Sequence, residues 1–160
     1  NNTCDHSPSG VTCNGVNTDN LNVSGVVSLQ GTSVSGKANI MGMVDSFSSK
    51  LSDVDIRGKA KFVNTDVSST FKIKGFIDAM NSEFNGPVFI DSNKSMFNNS
   101  RINSPIVIVS KNNVAQLILK GNTYVQGNIS FSNGNGEVIL GPDVKITGKV
   151  SGGKVKNIGV

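Results

Sequence analysis

The chain has no tryptophan, one tyrosine, four prolines and one histidine, His6, in 160 residues. A lone histidine within a short polar N-terminal segment means that a catalytic triad or a histidine general base would have to be built on that segment alone. Zinc would need four ligands, and Cys4, His6 and Cys13 offer three with no further Cys or His in the chain. No metal and no cofactor is expected. Arginine is also scarce, with Arg57 and Arg101 against 13 lysines, so the net charge of +4 lacks the bidentate donors of a nucleic-acid reader, and no basic run or aromatic stacking set accompanies it. The longest apolar run, Ile106 to Val109, is strand length, far below the roughly 20 residues of a membrane-spanning helix. No stretch sustains a 3.6-residue period, and Gly or Asn interrupts most windows, so helix is nearly excluded. Met43 to Leu51 is the one candidate for a helical turn.

What the chain has is turn chemistry. Its 21 Asn, 9 Asp and 18 Gly make up 48 of 160 residues, which predicts many turns. Only 16% of residues are charged while 36% are apolar and evenly scattered, a balance that argues for a folded chain of one domain and against disorder. Asn1 is not Met, which reads as the removal of a leader or tag. Both cysteines lie in the polar segment CDHSPSGVTC, which reads as too polar to bury them in a core. A local Cys4–Cys13 disulfide is expected, contributing about 2 to 3 kcal/mol and placing the protein in an oxidising compartment, secreted or at the cell surface, with the periplasm as a further option.

A repeat runs through the chain: an apolar residue, any residue, Gly or Ser, any residue, then two apolar residues separated by one. Its eight copies begin at Val23, Val34, Ile56, Val67, Phe84, Ile102, Val125 and Ile146, and only the last departs from it, with Gly152 in place of the final apolar residue. The column three residues before each copy reads Asn20, Gly31, Asp53, Asn64, Asn81, Asn99, Asn122 and Asp143, all residues that tolerate a positive φ. This column was not used to find the motif, so its uniformity supports the alignment. The motif alternates with period two and is a strand; its small third residue suits a tight bend or a close approach of stacked backbones. The preceding column predicts a recurrent turn whose asparagine amides could bond along the stack.

Steps of 17 to 23 residues between copies fit one coil of a parallel β-solenoid, and the two steps of 11 fit motifs on different sides of one coil. One motif recurring in one orientation disfavours hairpins. The predicted fold is all-β, a right-handed parallel β-solenoid of roughly six to eight coils, with a small β-sandwich or barrel as runner-up. Residues 1–16 are expected to form a disulfide-closed cap and 17–160 a single solenoid domain finished by Ser151 to Val160. From Asn17 to Gly152, the periodic Gly and β-branched residues resemble bacterial right-handed β-solenoids, notably bactofilin-type polymer-forming domains and the passenger-like repeats of secreted adhesins. The resemblance implies a scaffold, a filament subunit or a surface-contact module, and the cysteine pair favours the secreted branch.

The outward positions carry the functional expectation, because the fold does not dictate them. One column reads Val26, Lys37, Lys59, Thr70, Pro87, Pro105, Asn128 and Lys149, and a second reads Ser28, Asn39, Lys61, Lys72, Phe89, Val107, Ser130 and Ser151. They predict a basic stretch of Lys37, Lys59, Lys61 and Lys72, and an apolar patch of Pro87, Phe89, Pro105 and Val107, covered either by the Lys111–Leu119 segment folding back or by a partner. The best carboxylate set for glycan cleavage is Asp53 and Asp55 with Arg57, which reads better as a turn residue and a solvated pair. The expectation is a non-enzymatic secreted structural or interaction module, adhesin-like or assembly-forming, that meets a protein partner or itself. The alternative is an extracellular glycan-binding or glycan-cleaving β-helix domain, acidic glycans being the ligands the lysines would suit.

Overall fold

A computed structural model describes residues 3–111 and 114–158. It is all-β: strands stack in parallel, coil on coil, into a β-solenoid of about nine turns. Two sheets run along the stack, one built of two-residue strands and the other of long strands. The predicted helical turn at Met43 to Leu51 is instead the end of strand Lys37–Phe47 and the strand Lys50–Leu51, because Val44, Ser46 and Leu51 are drawn into the core by period-two alternation.

The pairing register fixes the repeat. Thr18, Val34, Leu51, Val67, Phe84, Ile102, Val125 and Ile146 stack in one column of the short-strand sheet. Coils are therefore 16 to 18 residues long until Ile102, and 23 and 21 after it. Six of these positions open a copy of the sequence motif. The copies at Val23 and Ile56 lie elsewhere on the coil, within the long strands Leu21–Gln30 and Asp53–Val63. The motif spelled two different corners of the coil with one pattern, which explains the steps of 11 and 22.

Each long strand of the first half is bent at a glycine. Gly25, Gly42, Gly58 and Gly75 stack in register, with φ between +132° and +144°. A Cβ on Gly58 or Gly75 would lie 1.8 Å from the carbonyl oxygen of the glycine one coil earlier. Only glycine allows both that backbone conformation and that approach. Beyond Gly75 the column ends and the strand splits in two, as Val88–Asp91 with Lys94–Asn98 and Ile106–Val109 with Ala115–Lys120. The bend thus divides the long sheet into a first face, before it, and a second face, after it.

A second corner follows the long strand. Gly31, Asn64, Asn81 and Asn99 of the predicted turn column have φ between +49° and +53°, and Gly15, Ser48 and Gly121 join them there. Asn20 and Asp53 instead immediately precede or begin a long strand and stack with Lys37, Asn122 follows the positive-φ corner at Gly121, and Asp143 has no positive-φ residue immediately before it. The expected asparagine amides bond along the stack at two members of the column, Asn20 Oδ1 accepting from the Lys37 amide and Asn99 Oδ1 from the Asn122 amide (both 2.8 Å), but the continuous ladder at this corner is made by hydroxyls. Thr32, Ser49, Thr65, Ser82, Ser100 and Thr123, one or two residues past the turn, are buried. The Thr32 amide donates to Ser49 Oγ (3.2 Å), Thr65 to Ser82 Oγ (3.1 Å), Ser82 to Ser100 Oγ (3.2 Å) and Ser100 to Thr123 Oγ1 (3.2 Å). Each hydroxyl turns back to a carbonyl of its own chain, as Ser82 does to Met80 (2.9 Å), so buried polar atoms at the corner are satisfied and contribute about 0.5 to 1.5 kcal/mol apiece.

The core between the sheets is a continuous column of Val, Ile, Leu and Phe. At mid-stack, Phe62, Phe71, Phe84 and Phe97 are fully buried, with the Phe84 ring 5.1 Å from Phe71 and 5.3 Å from Phe97 in edge-to-face contact. At the N-terminal end, Asp5–Ser7 pairs antiparallel with Gly10–Asn14, which itself pairs in parallel with Leu21–Gln30. The Cys4–Cys13 disulfide ties this hairpin down. Contrary to the reading of a segment too polar to bury its cysteines, Cys13 is fully buried, because it alternates inward with Val11 and stacks on Leu29.

Candidate functional site

The first face is made of two outward columns. One runs Asn22, Asn39, Asp55, Lys72, Phe89, Val107, Ser130 and Ser151. The other, two residues on, includes Met41, Arg57, Lys74, Asp91 and Val109. Phe89 and Val107 are therefore direct neighbours, as the sequence predicts, and Pro87 and Pro105 stand beside them at the preceding corner, their carbonyls accepting from the Phe71 and Val88 amides (2.9 and 3.2 Å). Val109 extends this apolar patch by one further position that the sequence columns did not include.

Phe89 is 39% exposed. Its ring lies 5.9 Å from Lys72 Nζ, within cation–π range. Around it is an open cleft of about 360 Å³ whose rim carries Arg57, Lys74, Asp55 and Asp91. Among the described residues the expected intramolecular cover is absent. Ala115–Lys120 is a wall strand that pairs with Lys94–Asn98 and Gly136–Leu140, and Ala115, Leu117 and Leu119 belong to the core. Its period-two alternation buries those three side chains and keeps the segment in the stack. Asn112 and Asn113 of the predicted cover lie outside the described residues.

The four lysines are not brought into one stretch. Lys37 opens a long strand beside Asp53, and Lys72 sits on the first face between Asp55 and Phe89. Lys59 and Lys61 lie past the Gly58 bend on the second face, Lys61 between Asp45 and Asp78. The two corner types merged by the motif placed residues of different faces in one column. Asp53, Asp55 and Arg57 follow one another outward along one strand, with Asp55 stacked on Asn39 and Lys72 and Arg57 on Met41 and Lys74.

The short-strand sheet contrasts with the first face. Its outward positions are polar, including Lys50, Asp66, Glu83, Arg101 and Tyr124, with the Arg101 guanidinium 4.7 Å from the Tyr124 ring and Asn103 donating to Asn85 Oδ1 (2.8 Å). The second face carries an outward apolar column, Met96, Ile118 and Ile139, which sequence reasoning missed. The glycine column that sets the register past the bend, with spacings of 17, 16 and 17 between Gly25, Gly42, Gly58 and Gly75, ends before the coils that carry these residues, so it gave no signal for them. No helix in the described residues is long and apolar enough to cross a membrane. Comparison with protein-family models, with curated proteins and with solved structures finds no match to this chain.

Proposed function

We propose that the chain is a non-enzymatic interaction module, secreted or displayed at the cell surface, that offers the first face of its solenoid to a protein partner or to another copy. The observation that carries this reading is the Phe89 patch: a half-exposed aromatic ring flanked by Val107, Pro87 and Pro105, in columns that are otherwise mostly polar, with the neighbouring wall strand turned inward. An uncovered aromatic and aliphatic cluster with a charged rim has the anatomy of a contact site. The Cys4–Cys13 disulfide supports an oxidising compartment. The finer reading, adhesin-like or assembly-forming, rests on the long in-register faces, which suit repeated contact along the stack.

A second reading, glycan binding, is favoured by one feature of the same cleft. The Phe89 ring is bordered by Arg57, Lys72, Asp55 and Asp91, an aromatic platform next to charged hydrogen-bonding groups. Size-exclusion light scattering together with a glycan array separates the two. Self-association or protein binding that disappears in Phe89→Asp supports the first reading. Saturable sugar binding by a monomer, abolished by the same substitution, supports the second and overturns the first.

A further inference from the structure

The charged groups around Phe89 are not paired with one another. Arg57 and Lys74 are stacked neighbours in one outward column, and Lys72, in the same strand as Lys74, stands next to Phe89 in the other. Among the described residues, none of these three cations forms an ion pair or a side-chain hydrogen bond, and the one contact is that of Lys72 Nζ with the Phe89 ring. Asp55 and Asp91, the carboxylates of the same cleft, are likewise without a side-chain partner there. The two signs differ in exposure: Arg57, Lys72 and Lys74 are exposed, whereas Asp55 and Asp91 are half-buried. Asp53, at the start of the Asp55 strand, stands beside Lys37 at the corner. A partner at this cleft therefore meets an apolar floor of Phe89, Val107 and Val109 with three unpaired cations along one side.

We infer that the occupant of this cleft is an acidic peptide segment of another protein, bound in extended conformation. An apolar side chain sits between Phe89 and Val107, and a carboxylate two residues along the peptide is held by Lys72, Lys74 and Arg57. The inference rests on the reading of the Phe89 patch as a protein-contact site. Coils stack at about 4.8 Å, so the row of Lys72 and Lys74 lies one and a half coils, roughly 7 Å, from the midpoint of Phe89 and Val107. Side chains i and i+2 of an extended chain stand about 6.8 Å apart on one side of it. A peptide crossing the strands along the stack thus sets an acid over the lysines when its apolar residue is over the patch. Lys74 and Arg57, one coil apart, then donate charge-assisted hydrogen bonds to that carboxylate.

A second copy of the chain is the poorer occupant. The chain carries a net charge of +4, and a second first face would bring the same three exposed cations to the interface. An acidic segment is attracted at a distance and paired on contact.

The test is selection of random decapeptides displayed on phage against the full chain, with synthetic copies of the selected peptides titrated against variants. Wild type should enrich peptides in which an acidic residue stands two positions from an apolar one. Their affinity should fall about tenfold or more in Phe89→Ser, a residue type the same column carries at Ser130. It should fall by a similar factor in the double variant Lys72→Glu with Lys74→Glu, whose melting temperature should match wild type because both side chains are exposed. Selection repeated on the double variant should enrich basic residues in place of acidic ones, a reversal that a merely structural role of the lysines would not produce. Phe89-dependent peptides with no acidic bias, or the same acidic peptides selected by the double variant, overturn this inference and leave the contact-site reading standing. A Phe89-dependent dimer in light scattering, or Phe89-dependent binding of polygalacturonate with no peptide selected, assigns the cleft to a second copy or to an acidic glycan and overturns the inference. Absence of any Phe89-dependent binding, of peptide or of a second copy, overturns both the inference and the reading it rests on.

Discussion

Gly25→Ala and Gly58→Ala form a matched pair that isolates the physical origin of the bend. Both glycines hold φ well inside the region that L side chains avoid, +132° and +139°. An alanine at either site carries a backbone penalty of about 1 to 3 kcal/mol. The surroundings differ. A Cβ at Gly25 would find nothing within 4 Å, whereas at Gly58 it would lie 1.8 Å from the Gly42 carbonyl oxygen and 2.8 Å from its carbonyl carbon. That contact is with backbone held in a ladder of parallel pairing, so it is relieved only by separating two coils, at a further cost of about 1 to 3 kcal/mol. Gly25→Ala should therefore lose about 1 to 3 kcal/mol and Gly58→Ala about 2 to 6 kcal/mol, read from urea unfolding with hydrogen exchange at the coil beneath as a local monitor. Equal losses in the two variants would show that coil-to-coil approach does not constrain Gly58. A loss below about 0.5 kcal/mol in both would refute the bend itself.

Phe84→Ala removes a ring in edge-to-face contact with Phe71 and Phe97 and should cost about 3 to 5 kcal/mol, lowering the melting temperature by roughly 10 °C. Ser95 Oγ is buried with no hydrogen-bond partner among the described residues, so Ser95→Ala should raise stability by about 1 kcal/mol, read from the same urea curves. Replacing Cys4 and Cys13 together by alanine should lower stability by about 2 to 3 kcal/mol without preventing folding, because the bridge closes a short loop at one end of the stack, and circular dichroism should retain the strand spectrum. The Glu137 carboxyl is held below its ordinary range by hydrogen bonds from Lys156 (2.7 Å) and Gln116 (3.1 Å). Its contribution to stability is therefore present above the unfolded-state pKa of a glutamate and is lost as pH falls through the lower folded value; Lys156→Met should move its titration midpoint upward in a carboxyl-detected NMR titration.

The class of fold was legible because stacking demands the same residue at the same place in every coil. The columns of small third residues and of apolar first, fifth and seventh residues record that demand directly, and the Phe89–Val107 adjacency follows from it. The register was only partly legible. Coils beginning at Thr18 and Leu51 are one residue shorter at the corner, TDNL and LSDV where others have VSGKA, so the motif skips them and matches the glycine bend at Val23 and Ile56 instead. Matching the copy at Ile56 rather than the corner at Leu51 moves the alignment five residues along the coil and past the Gly58 bend, which is why the motif groups Lys59 and Lys61 with Lys37 and Lys72. The hydroxyl ladder was hidden because Ser and Thr are ordinary surface residues in composition. Their burial is imposed by the turn at Gly31, Asn64, Asn81 and Asn99, which points the next side chain inward. The expected cover over Phe89 failed because the spacing between motifs counts residues and does not say which of them continue the stack.

An open first face on an in-register solenoid is tested most directly by thiol labelling of two single variants, Phe89→Cys and Ile90→Cys, with the native cysteines silent in their disulfide. These adjacent residues are 39% and 2% exposed. In the native protein the introduced thiol at position 89 should react at a rate close to that of a free thiol, and the one at position 90 should stay protected until unfolding. Protection at position 89 would mean that the chain covers its own patch, and rapid labelling at position 90 with protection at 89 would mean that the strand is shifted by one residue.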